Sequence, residues 1–331
     1  MQNTKFGRTG LRVSKLCLGT MTFGLQCDAG QSNAILDAAA AGGINFLDTA
    51  NVYPLGGRRD TVGRTEQIVG DWLKGKRHQY VIATKCAGAM GRNPWDQGTS
   101  RKHVLEAIEA SLKRLGTDYV DLYQLHRYDP DTPLDETMDA LDTVVRQGKA
   151  RYVGVSNWPA HKVARGIGRA EVKNTARIDS VQPRYNLLFR SYERDLLPLC
   201  EEEGIAVIPY NPLAGGLLTG KYNGAVPPPD GSRFQLGTAG ARYQERYWHQ
   251  REFDTIEAIR GVAVEAGMSM AVMAMRWTLS NQAITAPIIG ASKPEQLADS
   301  FAAAEQGPLP NDIKTRLDQL THEWRAVDVE R

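Results

Sequence analysis

Eight short apolar runs alternating with amphipathic helical stretches predict an α/β protein, a single (β/α)8 TIM barrel domain spanning residues 1–331. The runs fall at 16–19, 45–48, 80–85, 120–126, 152–156, 180–182, 206–210 and 284–289. They are apolar almost throughout rather than alternating, as strands of a parallel sheet buried on both faces are. An alternating order allows an open doubly wound sheet as well, but eight units in one series favour closure.

Before the first of these runs, Phe6 and Leu11 to Val13 flank the turn Gly7-Arg8-Thr9-Gly10, which reads as an N-terminal β-hairpin. Val104, Ile108, Leu112 and Leu115 share one helical face, and Leu134, Met138, Leu141 and Val145 repeat the device. Thr132 is the expected N-cap of that second helix, with Pro133 at its first position and Asp135 facing the dipole. Gly116 and Gly148 sit where helices end. After the seventh run, residues 222–250 carry three prolines (Pro227, Pro228, Pro229), Gly231 and several aromatics, and read as a long irregular lid loop. Extra C-terminal helices follow. Helical patterns at 253–266 and 269–279 precede the eighth run, and 311–324 carries Ile313, Leu317 and Leu320 on one face.

Composition narrows the function classes. The chain is 42% hydrophobic and 24% charged with a net charge of +2, and no Lys/Arg cluster argues for a nucleic-acid partner. Its apolar runs are strand-sized, short of the roughly 20 residues of a membrane span. The N-terminus has no apolar h-region, so no secretory signal is expected. Cys17, Cys27, Cys86 and Cys200 are scattered without a CxxC pair, which argues against a disulfide framework or a zinc site and for the cytoplasm.

In such a barrel the chemistry lies at the C-terminal ends of the strands. The second run ends in Asp48, with Tyr53 in the loop beyond, the third in Lys85 and the fourth in His126. The next three end in Ser156-Asn157, Gln182 and Tyr210. A free tyrosine, with a pKa near 10, is a poor proton donor around neutrality, and an ammonium beside it would lower that value. Lys85 supplies the charge and Asp48 would hold it protonated. His126 can donate a hydrogen bond to a carbonyl oxygen that becomes an alkoxide. The set suits carbonyl polarisation and protonation and contains no hydride source, so a nicotinamide must be brought in. Each residue alone could be structural, an acid that caps a loop or a tyrosine at a rim; the combination carries the argument.

The motifs resemble the aldo-keto reductase superfamily over essentially the whole chain. The matching residues include Phe6 to Leu11, Leu18 to Gly24, Phe46 to Ala50 with Tyr53, and Ala83 to Lys85. They continue with Asp118 to His126, Gly154 to Trp158, Gln182 with Tyr185 to Leu187, and Pro209 to Tyr222. The last of these resembles the bacterial and potassium-channel-β-like branches. The resemblance implies a catalytic tetrad of Asp48, Tyr53, Lys85 and His126, with Tyr53 as general acid.

It also implies a cofactor site. Gly19, Thr20, Met21 and Asp48 would approach the nicotinamide ribose. Ser156, Asn157 and Gln182 would hydrogen-bond the carboxamide, and Tyr210 would stack on the ring. Asn211, Pro212, Leu213, Gly215, Gly216, Gly220 and Lys221 would form the pyrophosphate loop, with Ser232 and Arg233 folding over it. Gly290, Ser292, Lys293 and Gln296 would open the last barrel helix and meet an adenosine 2′-phosphate, which favours NADP over NAD. Two positions depart from the common pattern: Gln296 stands for a frequent arginine and Ser300 for a frequent asparagine. Ser292 with Glu295 reads equally well as a capping box. The substrate pocket is expected from Met21, Phe23, Tyr53, Trp95, His126, Arg127, Tyr128, Trp158 and Trp248.

Competing motifs fail. Residues 215–221 fit the first seven positions of a P-loop, but Tyr222 stands where Mg²⁺ needs a hydroxyl of Ser or Thr. No GxGxxG follows the first run. The remaining histidines have no ligand spacing, so no metal is expected. The expected activity is NADP-dependent reduction of a small-molecule aldehyde or ketone, reversibly to the alcohol. The alternative is an NADP-binding regulatory subunit that senses redox state and turns over slowly.

Overall fold

Ten strands and eleven α-helices are found among the residues described, 1–326, of this computed structural model. Strands β1 (Asn3–Lys5) and β2 (Arg12–Ser14) pair antiparallel as the expected hairpin. Phe6, which follows β1 into its turn, is fully buried and meets Phe46 edge-on at 5.9 Å. That places it among Cys17, Ala83, Leu122, Ala206, Ile208 and Ala286, so the hairpin closes the barrel base with an apolar plug. Burying such a ring is worth about 1.5–3 kcal/mol.

The barrel strands are β3 (Cys17–Gly19), β4 (Phe46–Asp48), β5 (Val81–Cys86), β6 (Val120–Leu125), β7 (Ala150–Ser156), β8 (Ile178–Gln182), β9 (Ala206–Val207) and β10 (Ile288–Ile289). All pair parallel in the order β10-β3-β4-β5-β6-β7-β8-β9. Parallel bridges Val207 to Ile284 and Tyr210 to Ile288 close the ring. The seventh and eighth strands are shorter than their apolar runs because Pro209 and Pro287 lack the N–H that a ladder needs. Their carbonyls still accept, from Ile288 and Cys17 respectively.

Helices α1 (Ala29–Ala41), α2 (Arg64–Leu73), α3 (Arg101–Leu115), α4 (Leu134–Arg146), α5 (Ala160–Lys173) and α6 (Leu196–Glu203) follow the first six barrel strands. Asp28 and Gln31 form a capping box on α1, and Ser100 caps α3, which Gly116 ends in the left-handed region. The expected cap of α4 is not made. Thr132 gives its hydroxyl to Asp129 instead, and Pro133 occupies the cap position without a side-chain bond.

Three further expectations are corrected. The segment 222–250 is not irregular throughout: a 3-10 turn, Arg233–Gln235, leads into helix α7 (Gly237–Tyr247). Gly240, a helix breaker by composition, lies so close to the Phe234 carbonyl that a Cβ would come within 2.7 Å of it. Tertiary packing overrides propensity there. Helices α8 (Gln250–Glu265) and α9 (Met270–Leu279) follow as expected. Beyond β10, Ser292 and Glu295 form no capping box. The Ser292 N–H and hydroxyl both go to Gln296 Oε1, and a 3-10 turn, Pro294–Leu297, precedes α10 (Ala298–Gln306). The last helix, α11 (Asn311–Leu320), stops short of 324 and passes into a 3-10 turn over His322–Arg325.

No single helix among the described residues is long and apolar enough to cross a membrane.

Candidate active site

Strand parity builds the site. Phe46 and Asp48 point into the barrel and Leu47 points out; Ala83 and Lys85 do the same on β5, and Leu122 and Gln124 on β6. The interior is therefore apolar at the base and polar at the mouth. Lys85 pairs in register with Gln124, Gln124 with Gly154, and Gly154 with Ser180.

Asp48, Lys85 and Tyr53 come together and are all buried. Lys85 Nζ is ion-paired with Asp48 Oδ2, donates to the Thr49 carbonyl at 2.8 Å and lies 3.4 Å from the Tyr53 hydroxyl. Burial alone would drive the proton from Lys85; the Asp48 carboxylate and the Tyr53 hydroxyl outweigh it and raise its pKa above the ordinary lysine value. Removing either partner of a buried pair of this kind costs about 3–5 kcal/mol, because a lone charge is left behind. Asp48 Oδ1 accepts from Gln182 Nε2 at 2.9 Å and from Gln124 Nε2 at 3.1 Å.

Tyr53 departs from expectation. Its pKa is pushed up to about 12, because burial outweighs the opposing pull of the Lys85 charge. The phenol therefore stays protonated across the neutral range. His126 meets the Tyr53 ring edge-on at 5.6 Å. Burial, then Lys85, Arg127 and Arg242, hold its pKa well below that of a free histidine, so it is neutral and can donate one hydrogen bond.

Ser156, Asn157, Gln182 and Tyr210 also converge. The Ser156 hydroxyl donates to the Gln182 carbonyl at 2.8 Å, and the Tyr210 hydroxyl donates to Asn157 Oδ1 at 2.8 Å. Asn157 Nδ2 donates to the His126 carbonyl and to Ser156 Oγ, both at 3.0 Å. Thr20 gives its hydroxyl to the Asp48 carbonyl, and Gly19 packs against Ile288, where a Cβ would lie 2.6 Å from Cγ2.

The loop after β9 has the makings of an anion cradle. Gly215, Gly216 and Gly220 all have positive φ. At Gly215 a Cβ would come within 2.9 Å of the Tyr243 ring, so glycine there lets α7 settle on the loop. Burial and then the Arg233 guanidinium lower the Lys221 pKa, and among the described residues neither cation has an acidic partner. Asn211 Nδ2 is buried without a hydrogen-bond partner. Two facing cations and an orphaned amide donor fit a bound pyrophosphate. Pro212 is buried and Leu213 half-buried beneath the loop. Gly290 lies near Arg233 Nη2, and Lys293 is exposed beyond it.

The expected substrate-pocket residues divide. Trp95 is exposed on the loop after β5, Met21 and Tyr128 are half-buried, and Arg127 is exposed beside His126. Phe23 is fully buried in the core, and Trp158 is buried against Tyr128 at 5.2 Å. The Trp248 ring, expected in the pocket, is instead engaged by Tyr222, Phe234 and Phe253, so it packs within the segment after β9.

Sequence reasoning missed Gln124, Arg242 and Tyr243. Gln124 was detectable: it interrupts an apolar strand at the same parity as His126. Arg242 and Tyr243 lie in the segment read as irregular, so no face could be assigned to them.

A cleft of about 450 Å³ also opens on the flank between α9 and α11. Its charges satisfy one another, Arg190 with Glu193 and Asp318, and Lys314 with Asp318. No three His, Cys, Asp or Glu side chains among the described residues could hold a metal ion.

The Aldo/keto reductase family matches residues 15–322. The chain belongs to that family. It is 38% identical over 313 residues to the uncharacterized oxidoreductase YrpG of Bacillus subtilis (strain 168), covering 92% of this chain and 91% of that one. It is 37% identical to a probable voltage-gated potassium channel subunit beta of Oryza sativa subsp. japonica, covering 93% of each. It is 33% identical to the L-glyceraldehyde 3-phosphate reductase of Escherichia coli (strain K12), covering 96% of this chain and 92% of the other. Oxidoreduction with a nicotinamide cofactor is the general activity of aldo/keto reductases.

Proposed function

We propose that this aldo/keto reductase uses NADPH to reduce aldehydes or ketones to alcohols, with Tyr53 as the proton donor. The observation that carries the reading is the buried Lys85 ammonium, paired with Asp48 and 3.4 Å from the Tyr53 hydroxyl. When bound, the nicotinamide supplies the hydride that the side chains lack. Tyr53 Oη gives its proton to the carbonyl oxygen, and Lys85 stabilises the phenolate left behind. Neutral His126 donates a hydrogen bond to the same oxygen as charge develops on it. Asp48, gripped by Gln124 and Gln182, keeps Lys85 charged and in place.

Ser156, Asn157 and Gln182 would hold the carboxamide and Tyr210 the ring face. Lys221, Arg233 and the Asn211 amide would hold the pyrophosphate. Lys293 is the group for a 2′-phosphate, and it favours NADPH over NADH. Gln296, bonded to Ser292, adds no charge there. The four cysteines, all free and buried, suit a cytoplasmic setting.

Oxidation of NADPH over many turnovers, followed on a panel of aldehydes and keto-sugars, tests the reading. The name of the rice relative favours a second one, a regulatory subunit that holds NADPH. That reading expects a single turnover of bound cofactor and no steady state.

A further inference from the structure

Three charges act on the His126 imidazole, and all three are positive: Lys85, Arg127 and Arg242. The charge of Lys85 is met by Asp48. Those of Arg127 and Arg242 are met by nothing, since neither makes a hydrogen bond or ion pair with a described residue. Other arginines of this chain do find acids, as Arg114 finds Glu66 and Arg177 finds Glu203.

The two arginines reach the mouth by separate routes. Arg127 follows His126 directly beyond β6 and is exposed. Arg242 arrives on α7, which lies over the strand-end loops. A Cβ on Gly237, its first residue, would lie 2.6 Å from the Gly56 carbonyl, in the loop after β4. The hydroxyl of Tyr243, the neighbour of Arg242, donates to Asn211 Oδ1 at 3.0 Å, in the loop after β9. Tyr243 also acts on the Tyr53 hydroxyl, so this turn of α7 faces the reacting groups. Near the start of α5, Lys162 lies 4.9 Å from the centre of the Tyr128 ring, again without an acid among the described residues. Like charges brought together without counter-charge repel, and a mouth of one sign concentrates ligands of the other.

We infer that the mouth selects carbonyl compounds bearing an anionic group, a carboxylate or a phosphate, which Arg127 and Arg242 grip while Tyr53 and His126 address the carbonyl. The inference deepens the reductase reading and rests on it. It assigns Arg127 and Arg242 to substrate specificity, separately from the Lys221 and Arg233 pair over the cofactor loop. A guanidinium fork fits either anion, because both present paired oxygens.

The test compares kcat/KM for para-carboxybenzaldehyde with that for its methyl ester, and for dihydroxyacetone phosphate with that for dihydroxyacetone. Wild type is expected to favour a charged member by about tenfold to a hundredfold, the worth of one or two charge-assisted hydrogen bonds. Preference in the first pair alone assigns a carboxylate, in the second alone a phosphate. R127Q and R242Q should each shrink the ratio, mainly through KM, and R127Q/R242Q should bring it to about one. Fluorescence titration with NADPH confirms that the variants are folded. Equal kcat/KM within both pairs, or a preference that survives the double variant, overturns the inference. If no carbonyl compound is turned over, the reductase reading fails. Calorimetry with para-(hydroxymethyl)benzoate against its methyl ester then decides the anion question by itself: tighter binding of the anion, lost in R127Q/R242Q, supports it, and equal binding overturns it.

Discussion

Lys85 Nζ stands 3.4 Å from the Tyr53 hydroxyl while its charge is held by Asp48, and all three side chains are buried. Burial sets the phenol at about 12, above its ordinary value, so the group enters the reaction with its proton in place. Tyr53→Phe removes that proton and little else. NADPH binding should be nearly unchanged and kcat lower by roughly 10²–10⁴, the usual worth of a general acid. A purified variant with wild-type kcat on a good substrate would remove Tyr53 from the mechanism.

The same electrostatics predict a flat pH profile. His126 is held well below the ordinary histidine value and Tyr53 well above neutrality, so neither changes charge across the neutral range. Reduction should keep a constant kcat/KM over that range. It should fall on the acid side only where His126 gains its proton, and on the alkaline side as Tyr53 loses its own. An inflection near the free histidine value that His126→Asn abolishes would contradict the assignment.

Lys293 is exposed beyond β10 and has no acidic partner among the described residues. If it meets a 2′-phosphate, Lys293→Ala should weaken NADPH by about 1–3 kcal/mol and leave NADH nearly unaffected. Fluorescence titrations with both cofactors decide it; equal losses would make the lysine structural.

Gly154 gives a stability prediction with a functional consequence. A Cβ there would lie 2.2 Å from Ser180 Oγ and 3.4 Å from Gln124 Cγ, inside the barrel. Gly154→Ala should destabilise the protein by about 1–3 kcal/mol, as overpacked cores do. It should also lower kcat, since Gln124 would be displaced from Asp48. Denaturant midpoints and kcat report the two effects separately, and Ser180→Ala in the same chain should restore part of each. Unchanged values for both would mean that the interior yields without cost.

The barrel and the strand-end groups Asp48, Lys85 and His126 were legible because they follow from parity and from what strand ends expose. Asp48 and Lys85 each fall two residues after an inward apolar position. The remainder depended on contacts that sequence spacing does not encode. Gly237 and Gly240 have the composition of a loop, yet α7 forms because Phe234 packs on both Tyr243 and Trp248 and Gly240 admits the Phe234 backbone. Arg242 was hidden by the same error. Phe23 and Trp248 were aromatic at plausible positions, and only packing shows one in the core and the other inside the segment after β9. The rise in the Tyr53 pKa was missed because the neighbouring charge is visible in a motif and the depth of burial is not.

The segment 222–250 should tighten when NADPH binds. It already reaches across the mouth: Gln26 Nε2 donates to the Gly231 carbonyl at 2.8 Å, and Gly237 meets Gly56. Its cations point inward, Arg233 Nη1 lying 3.3 Å from the Tyr243 hydroxyl and its charge acting on Lys221. An anion between Lys221 and Arg233 would relieve their repulsion and draw the segment down, with two hydrogen bonds available from the guanidinium fork. Closure would exclude water from the reacting carbonyl. Because α7 is helical and packed on Gly215, ordering should centre on its approach, residues 222–236, with a smaller change along the helix. Hydrogen exchange with and without NADPH should show protection gained there, and Arg233→Ala should remove most of that gain while the barrel strands stay protected. Exchange in 222–236 that is identical with and without the cofactor would mean a static surface segment, held by its own aromatic cluster.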